Sequence, residues 1–196
     1  RLEIDYLNHV MDWNAFKLIQ RAFLQSSIPN LEMPTDHAIN ALLYSTAAKL
    51  NIKHIILGSN LATESISMPI MYQNKDLRLI TDICNKYGAK DALKKMPRYS
   101  LLTFFNYVFI RRIKFTNILN LIEYNKDDAI KTLETMGWKA YSHKHHESII
   151  TRFFQAYILP KKFNYDKRRA HFFLFDYIWT NDERPSTSRV RQTVCL

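Results

Sequence analysis

The clearest indication of the fold class is the sequence KHIILG, from Lys53 to Gly58. A short apolar run rich in isoleucine is typical of a strand buried in a parallel sheet. It follows a predicted helix from Asp36 to Leu50, capped by Thr35, and leads into the polar loop GSNLATES, Gly58 to Ser65. Helix, strand and polar loop in this order predict an α/β fold. Because open α/β sheets bind ligands where their strands end, the loop is a candidate binding segment.

The remaining elements are predicted mainly as helices. At the N-terminal side, Arg1 to Val10 reads as a short β segment, and Asp12 is the predicted cap of a helix with one apolar face, formed by Phe16, Ile19, Phe23 and Leu24. Beyond residue 75, the patterns predict helices at Asp76–Tyr87, Ser100–Arg112 and, with Asn125 as cap, Lys126–Met136, and allow a short strand near Ile118–Ile122.

Three regions follow from this reading. Residues 1–75 are predicted as the α/β nucleotide-binding part, with a parallel sheet flanked by helices. Residues 76–180 are predicted as a mostly helical substrate-binding region, and the polar stretch 181–196 as a disordered tail.

Composition limits the possible classes of protein. The chain has 196 residues, 47% of them apolar, and three glycines, so it can form a packed core but has no glycine-rich phosphate loop. Two cysteines cannot form a disulfide framework, which favours a reducing, cytoplasmic location. The longest apolar stretch, Leu101 to Ile110, is too short to span a bilayer, and a core helix is a better interpretation of it than a membrane-surface helix.

The net charge of +10 is concentrated in two segments. Residues 90–114 contain seven Lys or Arg and one acid, and residues 143–171 contain seven and two. In the second segment, apolar residues at helical spacing between Ile149 and Ile158 predict a helix that buries a broad face and ends at Pro160. Asp166 then caps a helix that opens with three cations, which is typical of a site for a phosphate or carboxylate.

Several motifs together resemble the N-acetyl sugar amidotransferases, which belong to the PP-loop ATP pyrophosphatase group (adenine nucleotide alpha hydrolase-like fold). The resemblance runs from about Ile4 to His171 and rests on AFLQSSIPNLEMPTDHAI (22–39), GSNLATES (58–65), KHHES (144–148), TRFFQAYILPKKF (151–163) and DKRRAH (166–171). It implies an ATP-dependent ligase, with ATP and Mg²⁺ as cofactors, that converts the acetamido group of a nucleotide-activated N-acetyl sugar into an acetamidino group. The products belong to lipopolysaccharide O-antigen or related surface glycans.

The implied reaction begins when ATP adenylates the amide oxygen with loss of pyrophosphate. Ammonia, supplied by a separate glutaminase subunit, then attacks the activated carbon, and AMP departs. Such catalysis depends on positioning and on stabilising phosphate charge, so it needs cations more than a nucleophile. No particular catalytic residue is predicted. The resemblance and the charge pattern together give these candidate substrate- and phosphate-binding residues: Asp36, His37, Asn60, Glu64, Lys144, His145, Arg152, Lys161, Lys162, Lys167, Arg168 and Arg169.

The sequence departs from the family pattern in two places. The SGGxDS-type loop that grips the ATP pyrophosphate is missing, as is the cysteine-rich segment before it, and the residues after His171 differ from the family. The chain is therefore expected to be a truncated or divergent form, and an inactive fragment is one alternative. Histidines 143, 145 and 146 lack the spacing of a zinc site, so no metal site is predicted. A nucleic-acid-binding protein of the PP-loop group is a second, less favoured alternative, because the aromatic residues follow the period of a helix core.

Overall fold

Two short parallel strands, β1 (His54–Leu57) and β2 (Lys114–Asn117), form a sheet in the described part of this protein. The structure is a computed structural model, and it describes residues 4–59, 76–122, 124–138 and 148–165. The backbone N–H of Lys114 donates to the carbonyl of Lys53 at 2.8 Å, at the start of both strands. The strand predicted within 53–58 is confirmed, and so is an α/β fold that is mostly helical.

The chain divides into two compact units. Unit 1 takes residues 1–57 and 68–116, and unit 2 takes residues 58–67 and 117–196. Helix α1 (Trp13–Ser26) opens unit 1, and its cap is the predicted one, since the N–H of Ala15 donates to Asp12 Oδ1 at 3.0 Å. Ile19 and Phe23 are buried as predicted, whereas Leu24 is exposed.

Helix α2 (Met33–Lys49) begins earlier than predicted. Thr35 is not its cap, because the helix already includes Met33 and Pro34. Proline fits the first turn of a helix, where its missing N–H has no intrahelical partner to lose. The side chain of Thr35 instead accepts from Gln20 Nε2 at 3.5 Å, which ties α2 to α1.

Two further helices pack beside α1. Helix α3 (Leu77–Lys86) is capped by Asp76, whose carboxylate accepts from the N–H of Leu79 at 3.0 Å, and α4 (Lys90–Leu93) follows it. Both contact α1. Cys84 of α3 is fully buried, which agrees with its predicted role as a small hydrophobic residue, and burial raises the pKa of its thiol to about 11.

The segment before β2 consists of an α-helix and a π-helical turn. Helix α5 (Leu101–Phe105) continues into a π-helical turn, Asn106–Ile110, and the two are called the 101–110 helix below. Its inner face packs on an aromatic core centred on Tyr44, which is buried. The ring of Tyr44 stacks on Tyr107 at 5.4 Å and meets Phe104 edge-on at 5.7 Å.

The first described helical elements of unit 2 are a 3₁₀ turn, Ile118–Asn120, and helix α6 (Lys126–Thr135). A continuous helical run follows: α7 (Ile149–Phe153), a π-helical turn (Phe154–Ile158) and α8 (Leu159–Phe163), together called the 149–163 helix. Pro160 therefore does not end the helix as predicted. A π turn widens the helix just before the proline, where its ring would otherwise meet the carbonyl four residues earlier.

Two predicted strands are absent from the described residues. Residues 4–10 are irregular and exposed, and residues 118–120 form the 3₁₀ turn that follows β2. The functional division after residue 75 stays a prediction, and the tail 181–196 lies outside the described residues. Among the described helices, none has the length and apolarity that crossing a membrane requires.

Candidate anion-binding residues

Polar side chains meet just beyond the two strands. Ser59 follows β1 by two residues, Asn117 is the last residue of β2, and Ser59 Oγ donates to Asn117 Oδ1 at 3.4 Å. Both residues belong to unit 2. Asn117 was not among the predicted site residues because its strand was expected a few residues later. The predicted site residues Asn60, which directly follows Ser59, and Glu64 lie outside the described residues.

Asp36 lies in the first turn of α2 and His37 follows it, but the two side chains have different surroundings. His37 is fully buried, its Nε2 accepts the N–H of Tyr99 at 3.3 Å, and its ring stacks on Tyr99 at 4.5 Å. An Nε2 that accepts a hydrogen bond carries no proton, so this nitrogen serves the core of unit 1. Asp36 is half-buried, and its backbone carbonyl accepts from Asn40 Nδ2 at 3.0 Å.

The cations of the 149–163 helix are accessible to an anion from solution. Arg152, Lys161 and Lys162 are all exposed, and no acidic residue occurs between residues 148 and 165. Lys161 and Lys162 lie in the last turn of the helix, where the partial negative charge of the helix end favours a cation. Stabilisation of the helix end is therefore one explanation for Lys161 and Lys162. It does not explain Arg152, which lies further from that end.

The predicted apolar face of this helix is only partly buried. Phe154 and Leu159 are in the core, whereas Ile149, Phe153 and Tyr157 are exposed. The rings of Phe153 and Tyr157 stack at 5.5 Å with 14° between their planes. The π turn changes the angular spacing of side chains along the helix, so a constant period of 3.6 residues assigned Phe153 and Tyr157 to the wrong side. An exposed aromatic pair thus accompanies the cations.

The other basic segment, residues 90–114, is largely engaged within unit 1. Lys94 pairs with Asp91 and Lys95 with Asp12, both at 2.8 Å. The Lys95 ammonium and the N–H of Ala15 hold the pKa of the Asp12 carboxyl below its usual value. Two guanidinium groups donate to backbone carbonyls, Arg98 to Leu93 and Arg111 to Ala48. These four cations have structural partners within unit 1. The predicted binding cations that the structure describes, Arg152, Lys161 and Lys162, all lie on the 149–163 helix and are exposed.

Other candidate positions contribute less. An open depression of about 450 Å³ lies at the start of α6, but Asp128 lines it and none of the predicted binding residues does. No group of His, Cys, Asp or Glu in the described part of the chain is placed to hold a metal ion. The predicted residues Lys144, His145, Lys167, Arg168 and Arg169 lie outside the described residues.

Gly58, at the end of β1, opens the predicted binding loop, and a Cβ there would meet nothing within 4 Å. Residues 60–65 of that loop lie outside the described residues. In unit 2, the described residues offer exposed cations and aromatic rings to an anion.

In comparisons with known proteins, no family model matches the chain, and no match is found among curated proteins or solved structures. The class of protein is therefore defined by the fold and the site alone. It is an α/β protein, mostly helical, with a two-stranded parallel sheet in its described part and an exposed cationic helix in unit 2.

Proposed function

We propose that this chain binds a nucleotide-activated N-acetyl sugar as part of an ATP-dependent amidotransferase, which converts the acetamido group of the sugar into an acetamidino group. Lipopolysaccharide O-antigen or another surface glycan would receive the product, and a glutaminase subunit would supply the ammonia. The proposal rests on the resemblance carried by the ordered motifs from Ala22 to His171, which implies a partial PP-loop fold. The parallel pairing of β1 and β2 is compatible with such a fold.

The observation that carries the proposal is the 149–163 helix, which lies within the motif TRFFQAYILPKKF. It presents Arg152, Lys161 and Lys162 to solvent, and residues 148–165 contain no acidic side chain. A sugar nucleotide brings a diphosphate, or a phosphate diester, for the cations and a base for an aromatic ring. Exposed Phe153 and Tyr157 provide such rings. The pyrophosphate loop for ATP is not in this sequence, so the chain's share is binding and orienting the sugar nucleotide.

The test is titration of the chain with a UDP-linked and a CMP-linked N-acetyl sugar. We expect one of them to bind, and Lys161→Gln with Lys162→Gln to raise its Kd at least about tenfold, since a single charge-assisted bond to phosphate contributes about 1.5–3 kcal/mol. Lys131→Gln is the matched control, because it also removes an exposed lysine from a helix of unit 2. Equal Kd values for the control and for the double variant would contradict the proposal.

Activity is measured by adding ATP and an ammonium salt to the same mixture. The expected products are pyrophosphate and a sugar nucleotide one mass unit lighter, because an NH group replaces an oxygen. Sugar binding without pyrophosphate release would support the binding role and assign ATP chemistry to residues outside this chain. If the chain neither binds the sugar nucleotide nor releases pyrophosphate, the proposal is overturned.

A second candidate function is binding of single-stranded RNA, as in a tRNA-modifying protein. The exposed stacked pair Phe153 and Tyr157 favours it, because bases stack on such rings while cations contact the phosphates. Binding to RNA that weakens steeply with added salt and is unaffected by a nucleotide sugar would favour this candidate over the amidotransferase.

A further inference from the structure

The outer face of the 101–110 helix is apolar and open to solvent. Phe105 and Phe109 are 53% and 60% exposed, and their rings stack at 4.4 Å. Leu101, Leu102 and Ile110 are exposed still further, at 83%, 84% and 69%. Five large apolar side chains on three turns of helix form a patch of a kind that usually marks an interaction surface.

The same helix is also apolar on its inner face. Phe104, Tyr107 and Val108 pack against the core formed by Tyr44, Ala47 and Ile113. A helix that is apolar on all sides is normally covered on all sides. The inner face holds the helix on unit 1, so the outer face is available for a partner without disturbing the core.

The charged residues next to this helix in sequence are all positive. From Ala92 to Ile122 the sequence contains no Asp or Glu. Arg111, Arg112 and Lys114 follow the helix directly and are exposed. Arg111 is anchored by its bond to the carbonyl of Ala48 at 3.0 Å, so a cation is held at the end of the apolar face. With a net charge of +10, the protein as a whole is attracted to anionic surfaces.

We propose that the 101–110 helix docks on an anionic membrane surface. Phe105, Phe109 and the leucines enter the boundary between headgroups and acyl chains, and Arg112 and Lys114 contact the phosphates of anionic lipids. The helix lies in the surface and does not cross it, since ten residues extend roughly 15 Å and the hydrocarbon core is about 30 Å thick. Cations grouped at one end of an apolar face favour lipid over a second copy of the chain, which would bring like charges together.

The test is cosedimentation of the full chain with vesicles of phosphatidylcholine alone or mixed with phosphatidylglycerol. We expect binding to be about tenfold stronger to the mixed vesicles and to weaken with added salt. Phe105→Ser with Phe109→Ser removes the binding. The matched control is Leu18→Ser with Leu24→Ser, which alters two exposed apolar residues of α1 in the same unit and leaves binding unchanged.

A second pair of variants tests the charge. Arg112→Asn with Lys114→Gln should reduce binding to the mixed vesicles several-fold, and Asn suits the left-handed backbone of residue 112, where φ is 56°. The proposal is overturned if the wild-type chain fails to bind the mixed vesicles, or if the serine variants and the control bind equally. It is also overturned if the serine pair abolishes a concentration-dependent dimer and leaves lipid binding intact. The sugar-nucleotide site of unit 2 is not involved, so the two proposals stand or fall separately.

Discussion

The 101–110 helix of unit 1 and the 149–163 helix of unit 2 start in the same way. Ser100 accepts the N–H of Thr103, and Ser148 accepts the N–H of Thr151, each at 3.2 Å. Each helix then passes from an α turn into a π turn and carries an exposed stacked aromatic pair. They differ in charge, because the first has cations only beyond its end, whereas the second carries Arg152 and two lysines within it.

This difference separates what a local pattern determines from what its surroundings determine. A serine cap and aromatic residues four apart are enough to set where each helix begins and which rings stack. The use of each outer face depends on the charges beside it. An apolar face with cations at one end suits a lipid surface, whereas rings interspersed with cations suit a nucleotide.

The largest expected effect comes from removing the support of the 101–110 helix. Tyr44→Ala deletes the ring that contacts Tyr107, Phe104 and, at 4.9 Å, Phe115. We expect it to lower the free energy of unfolding by about 3–5 kcal/mol, which is the usual cost of truncating a buried aromatic residue. Urea unfolding followed by circular dichroism measures this. Phe105→Ala, on the outer face of the same helix, should change stability by less than about 0.5 kcal/mol.

A smaller effect is expected in unit 2, where the two adjacent residues Phe153 and Phe154 form a matched pair. Phe154 is 3% exposed and Phe153 is 54% exposed. Phe154→Ala should cost about 3 kcal/mol, and Phe153→Ala well below about 1 kcal/mol. Hydrogen exchange at the amides of the 149–163 helix reports the change. If Phe153→Ala speeds exchange as much as Phe154→Ala does, the helix does not bury Phe154 in preference to Phe153.

The shared serine caps predict equal effects in the two helices. Ser100→Ala and Ser148→Ala each remove the side-chain acceptor of an N–H in the first turn and should each cost about 1 kcal/mol. Thermal melting of both variants measures the loss, and Ser→Asn at either position should restore most of it, because Asn also caps well. A loss at only one position would mean that the two helices do not begin alike.

The sequence predicted what depends on neighbouring residues and missed what depends on distant ones. Asp12 was recognised as a cap because its partner, the N–H of Ala15, is three residues away. The pairing of Lys95 with Asp12 spans 83 residues, so the charge count of residues 90–114 included Lys95 without its acidic partner. In LLTFFNYVFI (101–110) apolar residues occur on every side, and no period distinguishes the buried face from the exposed one.

The smallest expected effect concerns Tyr99, which belongs to the aromatic core beneath the 101–110 helix. Its hydroxyl is buried with no hydrogen-bond partner among the described residues, and burial, with a smaller effect of Tyr44, raises its pKa to about 12. A buried hydroxyl without a partner is unfavourable. Tyr99→Phe should therefore leave stability at neutral pH unchanged or raise it by up to about 1 kcal/mol.

The same substitution changes the dependence of stability on alkaline pH. The unfolded chain releases the phenol proton near its ordinary pKa of 10.0, whereas the folded chain retains it up to about pH 12. A pKa that is raised on folding contributes stability fully below pH 10, and this contribution is lost as the pH rises from 10 towards 12. Urea unfolding across this window should show a smaller loss for Tyr99→Phe than for the wild-type chain. Equal losses would mean that the hydroxyl of Tyr99 reaches water, and that the 101–110 helix covers the core beneath it less completely than its inner-face contacts indicate.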